Sequence, residues 1–193
     1  MTRLLMLSRA IDRATEALGR FVAWAVVAAA VVSASNAIFR KLFDVSSNAW
    51  LELQWWLFGL VFLFAAPWTL KAGEHIRIDI LHNKFSKPLQ DRIEIFGTIF
   101  FLLPVAAVIL FTAWPFALSS VIENEQSYNA GGLAQWPVKL MIPLAFTVLF
   151  VQGISQLIKR VAVVRGLVDD TEFIGEDSLK KGQGAENSEA SDD

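Results

Sequence analysis

The residues able to do chemistry are few, and Glu52 is the sharpest of them. It stands near the start of an apolar run, about Ala49–Leu70. Carboxylates inside a spanning helix are rare and face protein or water, so a proton or coupling-ion site is the functional reading. The competing reading places Glu52 in the first turn of a helix, at the positive end of the dipole and near lipid headgroups. A structural or partner-contact role carries more weight, because no second acid or cation stands at matching depth in another apolar run. Glu94 opens the third run, where the same argument applies. His75 and His82 lie in one connecting stretch, whereas haem ligation in a bundle needs histidines projecting from helices toward a shared core. Cysteine is absent, which removes thiolate nucleophiles, disulfides and cysteine metal sites. No nucleophile, base and orienting acid can be assembled. The sequence therefore predicts neither an enzyme nor a cofactor carrier, and no basic surface for nucleic acid.

The elements that position these residues belong to a membrane protein. Of 193 residues, 54% are hydrophobic and 19% charged, against about 45–50% and about 25% in soluble domains. Four apolar runs, about 21–39, 49–70, 93–118 and 136–158, each approach or exceed the roughly 20 residues that cross hydrocarbon. The first exceeds the roughly 7–15 residues of a signal peptide's apolar region. Prolines within the runs are compatible with helices in lipid, and Pro104 predicts a kink in the third. Arg3, Arg9, Arg13 and Arg20 precede the first run, Lys71 to Arg92 contains five basic residues, and Lys159, Arg160 and Arg165 follow the fourth. The other side holds only Arg40 and Lys41. Lysine and arginine mark cytoplasmic loops.

The expectation is an all-α integral membrane protein with four transmembrane helices, both termini inside. Residues 1–20 read as a basic cytoplasmic arm, 21–160 as the membrane domain, and 161–193 as a cytoplasmic acidic tail too polar to form a core. Between helices 2 and 3, Ile78, Leu81 and Phe85 share a helical face flanked by basic residues, as in an interfacial amphipathic segment, while the alternation of Ile76, Ile78 and Ile80 also fits a short strand. Ala25, Ala29 and Ser33 share a face of the first helix, a spacing that lets helix backbones approach closely within the bundle or against another protein. The tryptophans gather near run ends as interfacial anchors. With scarcely any buried ion chemistry, the chain reads as a component of a larger machine. The loop 119–135 reads on base rates as an ordinary solvated connection.

Four local patterns together carry a resemblance. They are Asn36-Ala-Ile-Phe-Arg40 closing the first helix, Trp50-Leu-Glu52 opening the second, Gly73-Glu-His75-Ile-Arg77-Ile-Asp79 after it, and Trp136-Pro137 opening the fourth. The set resembles the small membrane (DctQ-like) subunit of tripartite ATP-independent periplasmic (TRAP) transporters, over about 21–160. Where that family often shows paired acids, this chain has Glu52-Leu53. The resemblance implies a multi-pass protein of the bacterial inner membrane that binds a large multi-span permease subunit and enlarges its static scaffold. A periplasmic binding protein delivers the substrate, commonly an organic acid, and an ion gradient, usually sodium, drives import. Partner-interface or structural roles then fall to Ala25, Ala29, Ser33, Asn36, Arg40, Trp50, Glu52, His75, Arg77 and Asp79, and the loop 119–135 is available to the binding protein. The rival reading is a self-sufficient oligomeric exporter with Glu52 as its proton site.

Overall fold

A computed structural model describes residues 2–44, 47–72 and 87–168. Every regular element among them is helical: α1 (Thr2–Phe43), α2 (Asn48–Ala72), α3 (Lys87–Gly97), a π-helical segment (Thr98–Leu102), α4 (Leu103–Ile122) and α5 (Trp136–Val164). Four stretches are long and apolar enough to cross a membrane, α3 to α4 counting as one. Their surfaces are apolar as well: Trp55, Phe62 and Phe111 are at least 75% exposed. Side chains of that size tolerate such exposure where lipid replaces water.

Residues 2–20, expected as an arm, form the first half of one 42-residue helix that runs without interruption into the apolar segment. Asp44 ends it with a positive φ of 55°, a left-handed conformation that aspartate tolerates better than most residues. At the far end of the chain, Gly166 adopts φ 66°. Its N–H donates to Val163 O at 2.8 Å and that of Leu167 to Ala162 O at 3.0 Å, the paired bonds of a glycine-terminated helix.

Proline explains the interruption between α3 and α4. Pro104 has no N–H to offer the carbonyl four residues back. The chain widens just before it, and the Leu103 N–H reaches Thr98 O, five residues away. The disturbance expected near Pro104 thus takes the form of a π-helical turn.

Helix α1 runs antiparallel to both α2 and α5. Along α2, Phe39 meets Trp50 with ring centroids 6.4 Å apart, Gly19 lies under Trp68, and Glu16 pairs with Lys71 at 2.5 Å. Along α5, Thr15 lies opposite Gln152, and Val22 joins Phe64 and Ala145 in the buried core. Gly19 is required for close approach, since a Cβ there would stand 2.8 Å from Trp68 Cγ. Ala25 and Ala29 are buried inside the bundle, at 8% and 0% exposure, whereas Ser33 is half-buried. Helix α4 packs on the other side of α5, where Gly153 receives Leu102 and Leu103. The predicted interfacial segment, at residues 73–86, and the acidic tail from residue 169 lie outside the described residues.

Candidate functional site

Charged and amide side chains clasp the helices to one another at both ends of the bundle. At the first end, Asp12 of α1 faces three residues of α5. Lys159 Nζ donates to Asp12 Oδ2 at 2.9 Å, while Gln152 Nε2 and Ser155 Oγ donate to Oδ1 at 2.8 and 3.1 Å. Thr15 Oγ1 donates to Gln152 Oε1 at 2.8 Å, and the hydroxyls of Ser8 and Ser155 share a hydrogen bond of 2.7 Å. Ser8, Thr15, Gln152, Ser155 and Lys159 are each at most 3% exposed. A lysine so buried is tolerated only when paired and fully bonded, and Asp12 meets that need. The expectation of scarcely any buried ion chemistry is corrected here. Nothing within residues 1–20, which read as a basic cytoplasmic arm, points from Asp12 to these distant partners.

Two further ion pairs extend this end. Glu16 accepts from Lys71 of α2 and from Arg20, one turn on in its own helix, at 2.5 and 2.7 Å. Arg160 of α5 reaches Asp91 and Glu94 of α3 at 3.3 and 2.5 Å. Glu94, weighed as a possible membrane carboxylate, is thereby one side of a helix–helix clasp. Gln156 Nε2 donates to the Leu70 and Lys71 carbonyls at 2.9 and 3.2 Å, satisfying groups that the last turn of α2 leaves open.

At the opposite end the organising group is Glu52. It accepts from the Ser127 hydroxyl, from Asn129 Nδ2 at 2.9 Å and from the Leu133 N–H at 2.6 Å. Asn48 adds a bond from Nδ2 to Ala130 O at 2.9 Å. Of the 119–135 connection, expected as an ordinary solvated loop, residues 119–122 complete α4 and 123–135 fold into a small hairpin held on the start of α2. Ser127 N–H donates to Leu133 O at 3.1 Å, and Gln135 N–H to Glu125 O at 2.8 Å. Gly131 turns the chain at φ 70°. Gly132 must lack a side chain, for a Cβ would lie 2.6 Å from Glu52 Oε1 and 2.5 Å from Ser127 Oγ. Glycines were visible in the sequence; that Glu52 was their counterpart was not.

The same hairpin is tied to α5 by Glu125, which accepts from Lys139 and from Ser120 Oγ, the latter at 2.6 Å. Lys139 also lies 4.4 Å from the Phe116 ring centroid, within cation–π range. Lys139 and then Ser120, by hydrogen bonding to the ionised form, hold the Glu125 carboxyl below its ordinary value. For a carboxyl lowered on folding, the stabilisation is complete above the ordinary value and is lost as pH falls through the lowered one. The protection of residues 123–135 against hydrogen exchange, taken relative to the intrinsic rate at each pH, is therefore expected to hold down to about pH 4, near where an ordinary glutamate titrates, and to fall below it. Opening of the hairpin well above that pH would contradict the assignment.

The remaining predicted residues separate into those the structure places and those outside it. Ser33 and Asn36 are half-buried on the C-terminal half of α1 and Arg40 is exposed beyond them. Trp50 is 39% exposed, beside Phe39. His75, Arg77 and Asp79 lie outside the described residues. Among the described residues no group of three or more histidine or acidic side chains is arranged to hold a metal ion.

A search of curated proteins finds no match. The family described as "Tripartite ATP-independent periplasmic transporters, DctQ component" matches residues 29–163, which takes in the C-terminal part of α1, all of α2 to α4, and nearly all of α5. The chain belongs to that DctQ family, the small permease component of TRAP transporters.

Proposed function

We propose that this chain is the static partner of a large TRAP permease subunit, widening the frame against which the substrate-carrying part of that subunit moves. The observation that carries this reading is the cross-linking of helices by their charged groups. Asp12 with Lys159 joins α1 to α5, Glu16 with Lys71 joins α1 to α2, Arg160 joins α5 to α3, and Glu52 joins α2 to the hairpin. A frame that must stay still while its neighbour slides benefits from such bonds, because each has to break before one helix can move past another. Glu52, engaged by three donors, is suited to holding a loop rather than to cycling a proton.

Both termini face the cytoplasm in this proposal, on the lysine and arginine asymmetry, and the membrane is the bacterial inner membrane. The transported compound is an organic acid handed over by a periplasmic binding protein, and a sodium gradient drives uptake. The hairpin at 123–135 lies on the periplasmic side, where that protein docks. Asn36 and Arg40 on the outer half of α1, with His75, Arg77 and Asp79 beyond α2, contribute to the contact with the large subunit.

Co-expression with the large permease subunit of a TRAP transporter tests the proposal. Wild-type chain is expected to co-purify with that subunit and to be required for ion-driven uptake in vesicles. Asn36→Ala with Arg40→Gln is expected to lower co-purification and uptake together. Ion-coupled uptake by this chain alone would overturn the assignment. So would a Glu52→Gln variant that assembles normally yet abolishes transport, the result an exporter built on Glu52 would give.

A further inference from the structure

The first half of α1 has the reverse polarity of a helix that meets water. Its buried side is polar: Ser8, Asp12 and Thr15 face Gln152, Ser155 and Lys159. Its outer side is apolar, with Leu4, Met6 and Leu7 at 47–62% exposure and Ala10, Ala14 and Ala17 exposed above them. Arginine is the one charged residue among these exposed positions. Arg9, Arg13 and Arg20 follow one another at helical spacing along a single sector, with Arg3 nearer the terminus. An amphipathic helix turns its apolar side to whatever is least like water, and here that is the outside.

Register gives the depth of this surface. With Thr15 opposite Gln152 and Asp12 opposite Ser155, residues 9–20 of α1 run beside residues 147–158 of α5. Those belong to the apolar stretch by which α5 crosses the membrane. The outer side of α1 is therefore level with lipid, one end of it near the headgroups. Long arginine side chains lay their methylenes along such a surface and carry the guanidinium to the phosphate layer. Residues 2–28 fall outside the stretch that matches the DctQ family, so the family assignment says nothing of them.

We infer that residues 3–20 form a binding face for anionic phospholipid, in which exposed leucine, methionine and alanine side chains contact acyl chains and Arg3 and Arg13, toward the N-terminal end, hold the headgroup phosphates, while Arg20 stays with Glu16. The rigidity comes from the Asp12–Lys159 clasp behind the face, which fixes the arginine row relative to the bundle. Negative lipid then anchors the chain at its N-terminal end. The acidic segment 169–193, with nine Asp and Glu against two Lys, is the other occupant to test. Its sequence offers the arginines charge but offers little to the apolar residues between them.

The natural absence of cysteine makes the test direct. Spin labels on Ala10→Cys and Ala17→Cys are placed in the full chain, reconstituted in phosphatidylcholine vesicles with and without phosphatidylglycerol. Both labels are expected to collide readily with oxygen and poorly with a water-soluble nickel chelate. Spin-labelled phosphatidylglycerol is expected to be held in preference to phosphatidylcholine, the preference falling about fivefold for each of Arg3→Gln and Arg13→Gln and weakening with salt. Ready access of the chelate to both labels would overturn the inference. So would shielding from both reagents that is lifted by ending the chain after Val168, which would assign the face to the acidic segment. Equal binding of the two lipids by wild type and variants would also refute it. None of these outcomes depends on whether the large subunit binds, which is read separately by co-purification.

Discussion

Lys159→Met is expected to destabilise the protein by about 3 kcal/mol, the lower end of the range for removing one member of a buried ion pair. The lower end applies because Asp12 retains 16% side-chain exposure, against 4% for Lys159, and keeps Gln152 and Ser155 as donors. What it loses is its counter-charge. Methionine fills the volume of the lysine stem, so the loss reports the pair rather than a cavity. Asp12→Asn alone leaves a buried ammonium without its carboxylate and is expected to cost a similar amount. The double variant Asp12→Asn with Lys159→Met carries no charge at the site, and is expected to recover at least half of the combined loss. Unfolding in detergent, followed by tryptophan fluorescence across this cycle, measures the coupling. Strictly additive single effects would mean that the pair contributes nothing as a pair.

Glu52→Ala is expected to release the hairpin. Three donors lose one acceptor at once, and the Leu133 N–H and Asn129 amide have no replacement nearer than water. Limited proteolysis between Ser119 and Gln135 reads the population of the open form when opening is rapid. Cleavage is expected to rise at least about tenfold, in keeping with the loss of charge-assisted hydrogen bonds. Gly132→Ala should reproduce much of this without touching the carboxylate, because its Cβ occupies the space of Ser127 and Glu52. Glu52→Gln preserves one acceptor oxygen and is expected to fall between wild type and Glu52→Ala. If Gly132→Ala left cleavage unchanged, the close approach of the hairpin to α2 would be disproved.

Legibility in the sequence followed the range of the interactions. The four spans could be read because each is a run of apolar residues long enough to cross hydrocarbon, a property that needs no knowledge of neighbours. Ala25 and Ala29 could be read as a packing face because their spacing is local. Asp12 could not be read correctly by itself: an acid among arginines suits a solvated arm, and only Gln152, Ser155 and Lys159, some 140 positions later, make it a buried group. The trace was present in retrospect, since Ser8, Asp12 and Thr15 repeat at helical spacing and so do Gln152, Ser155 and Lys159. Glu52 stands out in the sequence for its rarity, but nothing local names what it binds. Its partners are a hydroxyl, an amide and a backbone N–H, where the sequence suggested only the helix dipole and the headgroups.

The register of α1 against α5 has a mechanical consequence. The apolar run of α1 is centred near residue 30, which lies level with about residue 137 of α5 when Thr15 is opposite Gln152. The α5 run is centred near residue 147, about ten residues or roughly 15 Å further along. An offset between neighbouring belts is accommodated by tilt of the helices or by thinning of the bilayer on one side, and a protein that docks along this flank must conform to the same local depth.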